Sequence, residues 1–258
     1  MRTIDVETTM AGLDPVSLEE LLERAALQDR IDRKYLLPTA DVEPLVQTLG
    51  PNARILQIDD RRTFDYESVY FDTPDFTCYL LAAHRRRRRF KIRTRTYVDS
   101  AECWLEVKTR DKRGHTVKYR QEHDAGLPTS LTPDGRDFTD MVVTNAAVPG
   151  ATDLSLAPTL VTSYRRSTLY LPATDSRLTI DTDLRWELDT GEAISLPEMA
   201  IVETKTTARV SQADRLLWRS GRRPTQISKY GTGLAALRPD LPSTKWHRIL
   251  RRHFPAAA

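Results

Sequence analysis

Three consecutive stretches between residues 84 and 122 alternate charged and uncharged residues with a period of two. In the first, Phe90, Ile92, Thr94 and Thr96 interleave with Lys91, Arg93 and Arg95. Successive side chains on a β-strand point to opposite faces, so the three cations share one face. In the second, Glu106 and Lys108 fall together, with Leu105 and Val107 opposite. In the third, Lys118, Arg120 and Glu122 stand against Val117, Tyr119 and Gln121. Same-face neighbours on a strand are about 7 Å apart. At an effective dielectric of about 20, two like charges at that spacing repel by roughly 2 kcal/mol before screening. A single basic strand is most simply a solvated outer face, because Lys and Arg are rarely buried. Three in succession, each with a carboxylate nearby, point instead to a polyanion site built on a sheet.

The same patterning extends along the chain. Residues through Asp14 show no regular period and are expected to be poorly structured. Ser17-Leu-Glu-Glu20 is a capping box opening an amphipathic helix with Leu18, Leu21, Leu22 and Ala25 as its apolar stripe. Arg30 to Leu37 reads as a strand with Arg30, Asp32 and Lys34 on one face and Ile31, Arg33 and Tyr35 on the other. Arg54–Asp59 and Phe64–Asp72 read as a strand pair; Thr73-Pro74 breaks the second, and a short apolar helix follows to Ala83. Between Gly126 and Pro158 the composition predicts loops around one helix near Asp137–Asn145. Strands resume at Leu160–Leu171 and Arg177–Trp186, the latter with Asp181, Asp183 and Arg185 on one face. Glu203 and Lys205 repeat the Glu-x-Lys pattern, and Ser211-Gln-Ala-Asp214 caps a helix that Gly221 ends. The tail from Ser243 gathers Trp246, Ile249, Leu250 and Phe254 on one side of a helix, with Lys245, Arg248, Arg251 and Arg252 elsewhere. Such a segment packs on its own domain, docks on a partner or lies on a membrane surface.

Composition narrows the classes. The 258 residues suit one large domain or two small ones. With 39 basic against 36 acidic residues the net charge is only +3, so positive charge is local rather than general. Two cysteines, Cys78 and Cys103, form no disulfide framework. No signal-peptide pattern opens the sequence, and no apolar run approaches the roughly 20 residues of a membrane helix. A soluble, cytoplasmic protein is expected. The five histidines lack metal-ligand spacing, and neither GxxxxGK[ST] nor GxGxxG occurs. Cations at alternate strand positions with a few carboxylates among them suit phosphoryl transfer, in which cations neutralise phosphate oxygens and a carboxylate holds a bridging divalent metal.

Asp32-Arg-Lys-Tyr-Leu, Tyr70-Phe-Asp-Thr-Pro, Lys91-Ile-Arg-Thr-Arg, Leu105-Glu-Val-Lys, Tyr164-Arg-Arg, Thr179-Ile-Asp-Thr-Asp-Leu-Arg, Val202-Glu-Thr-Lys and Ile227-Ser-Lys-Tyr occur in this order. In that order they resemble VTC domains, the polyphosphate polymerase domains of the vacuolar transporter chaperone complex and their bacterial relatives, within the triphosphate tunnel metalloenzymes. The resemblance spans about residues 29 to 235. It implies an α+β fold: a closed antiparallel β-barrel with helices packed outside and a cation-lined tunnel within. On this reading residues 15–240 form a single tunnel domain, preceded by a loose segment (1–14) and followed by the basic tail (241–258).

The resemblance assigns catalytic roles to Arg93, Arg95, Lys108, Arg166, Arg185 and Glu203. It assigns phosphate contacts to Lys34, Lys91, Lys118, Arg120, Arg165, Lys205, Ser228 and Lys229. Glu203 is its metal carboxylate, with Glu106 second, for Mn²⁺ or Mg²⁺. Which of Arg165 and Arg166 faces inward stays open, with Arg166 the closer match. ATP and polyphosphate are the implied partners, with a membrane protein reached through the tail as a further one; specific nucleic-acid binding is not expected. Two departures matter. Many tunnel hydrolases open with Glu-x-Glu-x-Lys, where this chain reads Arg30-Ile-Asp-Arg-Lys34. The last motif often has Lys where Gln226 stands. The implied activity is transfer of the γ-phosphate of ATP to a polyphosphate chain; the alternatives are a triphosphatase and a non-catalytic polyphosphate or nucleotide sensor. The run Arg85–Arg89 is read as a basic rim that attracts polyanions.

Overall fold

The computed structural model describes residues 6–25, 31–151, 153–207 and 209–254. In chain order its elements are α1 (Val6–Met10), β1 (Asp14–Val16), α2 (Leu18–Ala25), β2 (Ile31–Pro38), α3 (Val42–Leu49), β3 (Arg54–Leu56), β4 (Thr63–Asp72), α4 (Thr77–Ala83), β5 (Arg89–Tyr97), β6 (Glu102–Arg110), β7 (Thr116–His123) and α5 (Pro133–Asn145). They continue as β8 (Ala157–Leu171), β9 (Ser176–Leu188), β10 (Ala193–Leu196), β11 (Met199–Thr206), α6 (Gln212–Arg219), α7 (Lys229–Leu237) and α8 (His247–His253). The class is α+β, rich in antiparallel sheet, with helices on outer faces. The ladder path is not strictly closed among the described residues. Arg30 lies outside them. No helix among them is long and apolar enough to cross a membrane.

The chain divides into two compact units: Met1–Asp65 with Tyr164–Leu184 and Leu196–Ile227, and Tyr66–Ser163 with Arg185–Ser195 and Ser228–Ala258. In the first unit β2, β11, β9 and β8 lie side by side. β11 is antiparallel to both neighbours, and its register sets Glu203 opposite Lys34 and Thr179. One face of this sheet is apolar: Tyr35, Leu37, Leu178, Ile180, Ala200 and Val202 are buried under Val46 and Leu49 of α3 and Ala213 and Leu217 of α6. α6 is fastened by Asp214, which closes a capping box with Ser211 and accepts hydrogen bonds from Tyr35 Oη at 2.6 Å and Thr204 Oγ1 at 2.8 Å. The period-two rule therefore leaves Lys34, Glu203 and Lys205 on the opposite face. Residues 6–13 are more ordered than expected. α1 forms there, and Met10 is buried in the α3 core because that core needs an apolar cover at its edge.

The second unit is an antiparallel meander of β4, β5, β6 and β7. Phe90, Ile92, Thr94, Leu105 and Val107 are buried on one face. α5 lies against that face, where Gly135 faces the Leu105 side chain. Its N-cap is Thr132, whose Oγ1 accepts from Gly135 N at 3.1 Å. α7 packs among aromatic rings: Tyr230 stacks on Tyr70 with centroids 5.0 Å apart and meets Tyr79 edge-on at 6.4 Å. Gly231 and Gly233 are obligatory here, since a Cβ on either would collide with Trp246 or Trp186. The apolar side of the tail is filled by its own chain. Trp246 lies 5.5 Å from Tyr79, Phe254 lies 5.5 Å from Trp186, and Ile249 is buried.

Candidate functional site

β5 and β6 present their charged face as a register of rows. Tyr70, Arg93, Glu106 and Arg120 form one row across four strands, and Ser68, Arg95, Trp104 and Glu122 the next. Lys91, Lys108 and Lys118 form a third. Glu106 is the pivot and is only 3% exposed. Its Oε2 accepts from Arg93 Nε at 2.8 Å and Nη2 at 2.5 Å, and its Oε1 accepts from Lys118 Nζ at 3.1 Å. Arg95 Nε stands 3.9 Å away. Burial alone would raise the Glu106 pKa; Arg93, Arg95 and Lys118 outweigh that effect and hold it well below the usual carboxylate range. Burial likewise pulls the Lys118 pKa down, against the attraction of Glu106. Arg93 is held from its other side by Tyr70 Oη at 3.0 Å.

Two buried donors in this face lack a hydrogen-bond partner among the described residues, Ser68 Oγ and Arg95 Nε. They belong to residues directly opposite one another on β4 and β5. A buried unsatisfied donor costs about 1–3 kcal/mol, so two side by side mark a place where a ligand oxygen fits. Lys91 and Ser228, both expected at phosphate, come together at 2.7 Å. Ser228 also caps α7 through Gly231 N at 3.1 Å. Arg120 is exposed and lies over the Trp104 ring at 4.5 Å. Lys108 is exposed, and Lys229 opens α7, its carbonyl accepting from Trp186 Nε1 at 2.8 Å. Arg185 is 48% exposed and turned onto Glu187, at 2.8 Å.

In the first unit the two adjacent arginines have different surroundings. Arg166, 12% exposed, grips Asp181 with Nε at 2.6 Å and Nη2 at 2.8 Å. Arg165 is 42% exposed and reaches Asp65 at 3.6 Å and Asp183 at 4.0 Å. Adjacent strand residues point oppositely, so Asp181 and Asp183 do not share a face as the alternation predicts. Asp183 sits at φ +52°, and that left-handed residue interrupts the pleat. Glu203 and Lys205 lie 3.7 Å apart. Thr179, opposite Glu203, is buried with its hydroxyl unsatisfied among the described residues. Asp32 and Arg177 flank Lys205 in register. Tyr70, Thr179 and Asp181 stand in the quoted motifs but were given no role there, and Arg177 and Ser68 were given none either, because all five matter through cross-strand neighbours that no local pattern encodes.

The two carboxylates expected at metal differ. Glu106 does not fit, since both its oxygens are already taken by cations. Glu203 fits as a single carboxylate, with Asp32 on the diagonal of the ladder. Among the described residues no cluster of three or more His, Cys, Asp or Glu is set to hold a metal. A Mg²⁺-like ion needs only one or two carboxylates when substrate phosphates complete its shell.

Lys205 carries a testable charge state. Burial is the main cause pulling its pKa down to about 7; Arg177 and Arg166 add to this, and Glu203 and Asp32 only partly oppose it. The unfolded chain therefore binds more protons than the folded one between pH 7 and the free lysine value of 10.5. Stability contributed through this group rises with pH across that window and is lost as pH falls toward 7. In thermal denaturation from pH 7 to 9.5, Lys205→Met should melt higher than wild type at pH 7, and the gap should close as pH rises. A gap independent of pH would show that Lys205 is charged throughout.

The two units thus define an α+β protein whose strand faces carry cations braced by a few buried carboxylates. The chain belongs to the VTC domain family, whose model matches residues 29–238. It is also similar to solved structures at low identity. One is a protein from Bacillus halodurans assigned as an adenylate cyclase: 14% identity over 90% of this chain and 93% of that one, TM-score 0.46. Another is a Hippeastrum protein assigned as an adenylyl cyclase and described as revealing a dominant triphosphatase activity: 18% identity over 84% and 100%, TM-score 0.47. No curated protein matches the chain.

Proposed function

We propose that this VTC domain transfers the γ-phosphate of ATP to a growing polyphosphate chain and releases ADP. The observation that carries the reading is the Glu106 pivot. It holds Arg93 by two guanidinium nitrogens while leaving the Arg95 Nε and Ser68 Oγ donors unused. Phosphoryl transfer needs little covalent help from the protein; pre-positioned cations at the non-bridging oxygens supply most of the catalysis. In this reading Arg93, Arg95 and Lys108 hold the γ-phosphate, with Lys91, Lys118 and Ser228 alongside. In the first unit, Lys34, Arg166 and Lys205 are the cations that the family resemblance assigns to phosphate. Mn²⁺ or Mg²⁺ on Glu203 would neutralise phosphate oxygens. The terminal phosphate of the chain attacks in line, so no protein nucleophile is required.

Purified protein incubated with ATP and Mn²⁺ should form ADP and acid-insoluble polyphosphate in step. Arg93→Gln should lower the rate by about 100-fold, the scale of losing one oxyanion-stabilising group. Free phosphate in place of polymer would convert the reading to a triphosphatase. Tight ATP binding without ADP would make it a sensor.

A further inference from the structure

The cationic face of β5 and β6 does not end at the Glu106 rows. Steps of two residues from Arg93 lead along β5 to Lys91 and Arg89, and from Glu106 along β6 to Lys108 and Arg110. Arg89 and Arg110 are directly opposite in the ladder, on the same side as Arg93. Directly opposed like charges destabilise a sheet, and Arg89 shows it: burial lowers its pKa first, and Arg110 lowers it further. Among the described residues their heads are held by carbonyls, Arg89 Nη1 on Arg86 O at 2.7 Å and Arg110 Nε on Gly114 O at 3.2 Å.

Two more cations join them. Lys245 Nζ donates to Ala82 O at 2.9 Å, and the same carbonyl accepts the backbone N–H of Arg85 at 3.2 Å. Arg85 itself stands at φ +55°. Arg89 stands opposite Arg110, and Lys245 shares the Ala82 carbonyl with Arg85; burial, then Arg89, Arg85 and Arg110, push the Lys245 pKa down to about 8. Among the described residues none of the four is in an ion pair with a carboxylate. The Glu106 rows carry their own counter-charge; this end of the face carries none.

We propose that Arg85, Arg89, Arg110 and Lys245 form a second anion site, which holds the part of a polyphosphate chain distal to the phosphate being transferred. The choice of a linear oligophosphate follows from layout. Arg93, Lys91 and Arg89 make a line of cations about 13 Å long at strand spacing. A single phosphate covers only one step of that line, whereas a chain of phosphates meets each in turn. Nucleic acid is less suited: Trp104 and Tyr66 lie at the other end of the sheet, under Arg120 and Arg95, and the ring under Lys245, Trp246, is buried and offers no stacking face. The site rests on the polyphosphate reading for its ligand but not on turnover.

The test is calorimetry at fixed salt with tripolyphosphate, a long-chain polyphosphate and single-stranded DNA, on wild type and on Arg89→Gln/Arg110→Gln/Lys245→Gln. Wild type should bind the long chain at least about tenfold more tightly than tripolyphosphate. The triple variant should lose that advantage while keeping its tripolyphosphate affinity. Arg89→Lys/Arg110→Lys, which keeps the charge, should retain the advantage, and melting temperatures no lower than wild type in both variants exclude a folding defect. Unchanged long-chain affinity in the triple variant overturns the site, and so does DNA binding as tight as long-chain polyphosphate in wild type. If ATP is not turned over and the long-chain effect still appears, the site stands and the polymerase reading falls. Where ATP is turned over, the variant should start chains at the wild-type rate and release shorter ones.

Discussion

Replacing Asp72 by alanine should cost at least about 4 kcal/mol of stability. Asp72 is fully buried at the end of β4. It accepts from the backbone N–H groups of Thr73 at 2.8 Å, Cys78 at 2.7 Å and Tyr79 at 2.9 Å, and from Tyr230 Oη. The Cys78 and Tyr79 N–H groups belong to the first turn of α4, so truncation leaves them, together with the Thr73 N–H, buried and unsatisfied. The loss also reaches the charged face. Tyr230 stacks on Tyr70, and Tyr70 Oη holds Arg93. Denaturant unfolding should show a large drop in midpoint with an unchanged slope. A loss under about 1 kcal/mol would mean that water replaces the carboxylate, and the network would then be dispensable.

Glu106→Gln should be nearly as costly, about 3 kcal/mol at neutral pH and low salt, because removing one partner of a buried charge cluster leaves the others uncompensated. Arg93, Arg95 and Lys118 would then face one another with no carboxylate among them. The sign with pH is defined. The folded carboxyl of Glu106 sits well below its free value of 4.5, so its contribution is complete above pH 4.5 and lost as pH falls through the folded value. Wild type and variant should therefore converge in acid. Phosphate or sulfate should stabilise the variant more than wild type, since an anion then supplies the missing charge. A melting temperature equal to wild type at pH 7, with no anion effect, would sink the claim that Glu106 is the pivot.

The charged faces of β5, β6 and β7 were readable from alternation alone, and so were Glu203 with Lys205 and the capping box of α6. A period of two is a local property of the backbone, and it survives any tertiary arrangement that keeps the strand. It failed at Asp183, where one left-handed residue broke the pleat, and over residues 6–10, where an unpatterned segment forms α1 with Met10 buried. It also gave no warning that the tail's Trp246 and Phe254 would be covered by Tyr79 and Trp186.

By itself, then, the sequence determined most of the strand faces and the family. Tertiary structure alone decided which cations are neutralised. Register placed Arg93 and Lys118 on Glu106, and left Arg89 and Arg110 opposed without a carboxylate. It also gave Arg166, and not Arg165, to Asp181. The physical reason is that charge compensation acts over a few ångströms between strands far apart in sequence. Alternation says which way a side chain points, and only the ladder says what it meets.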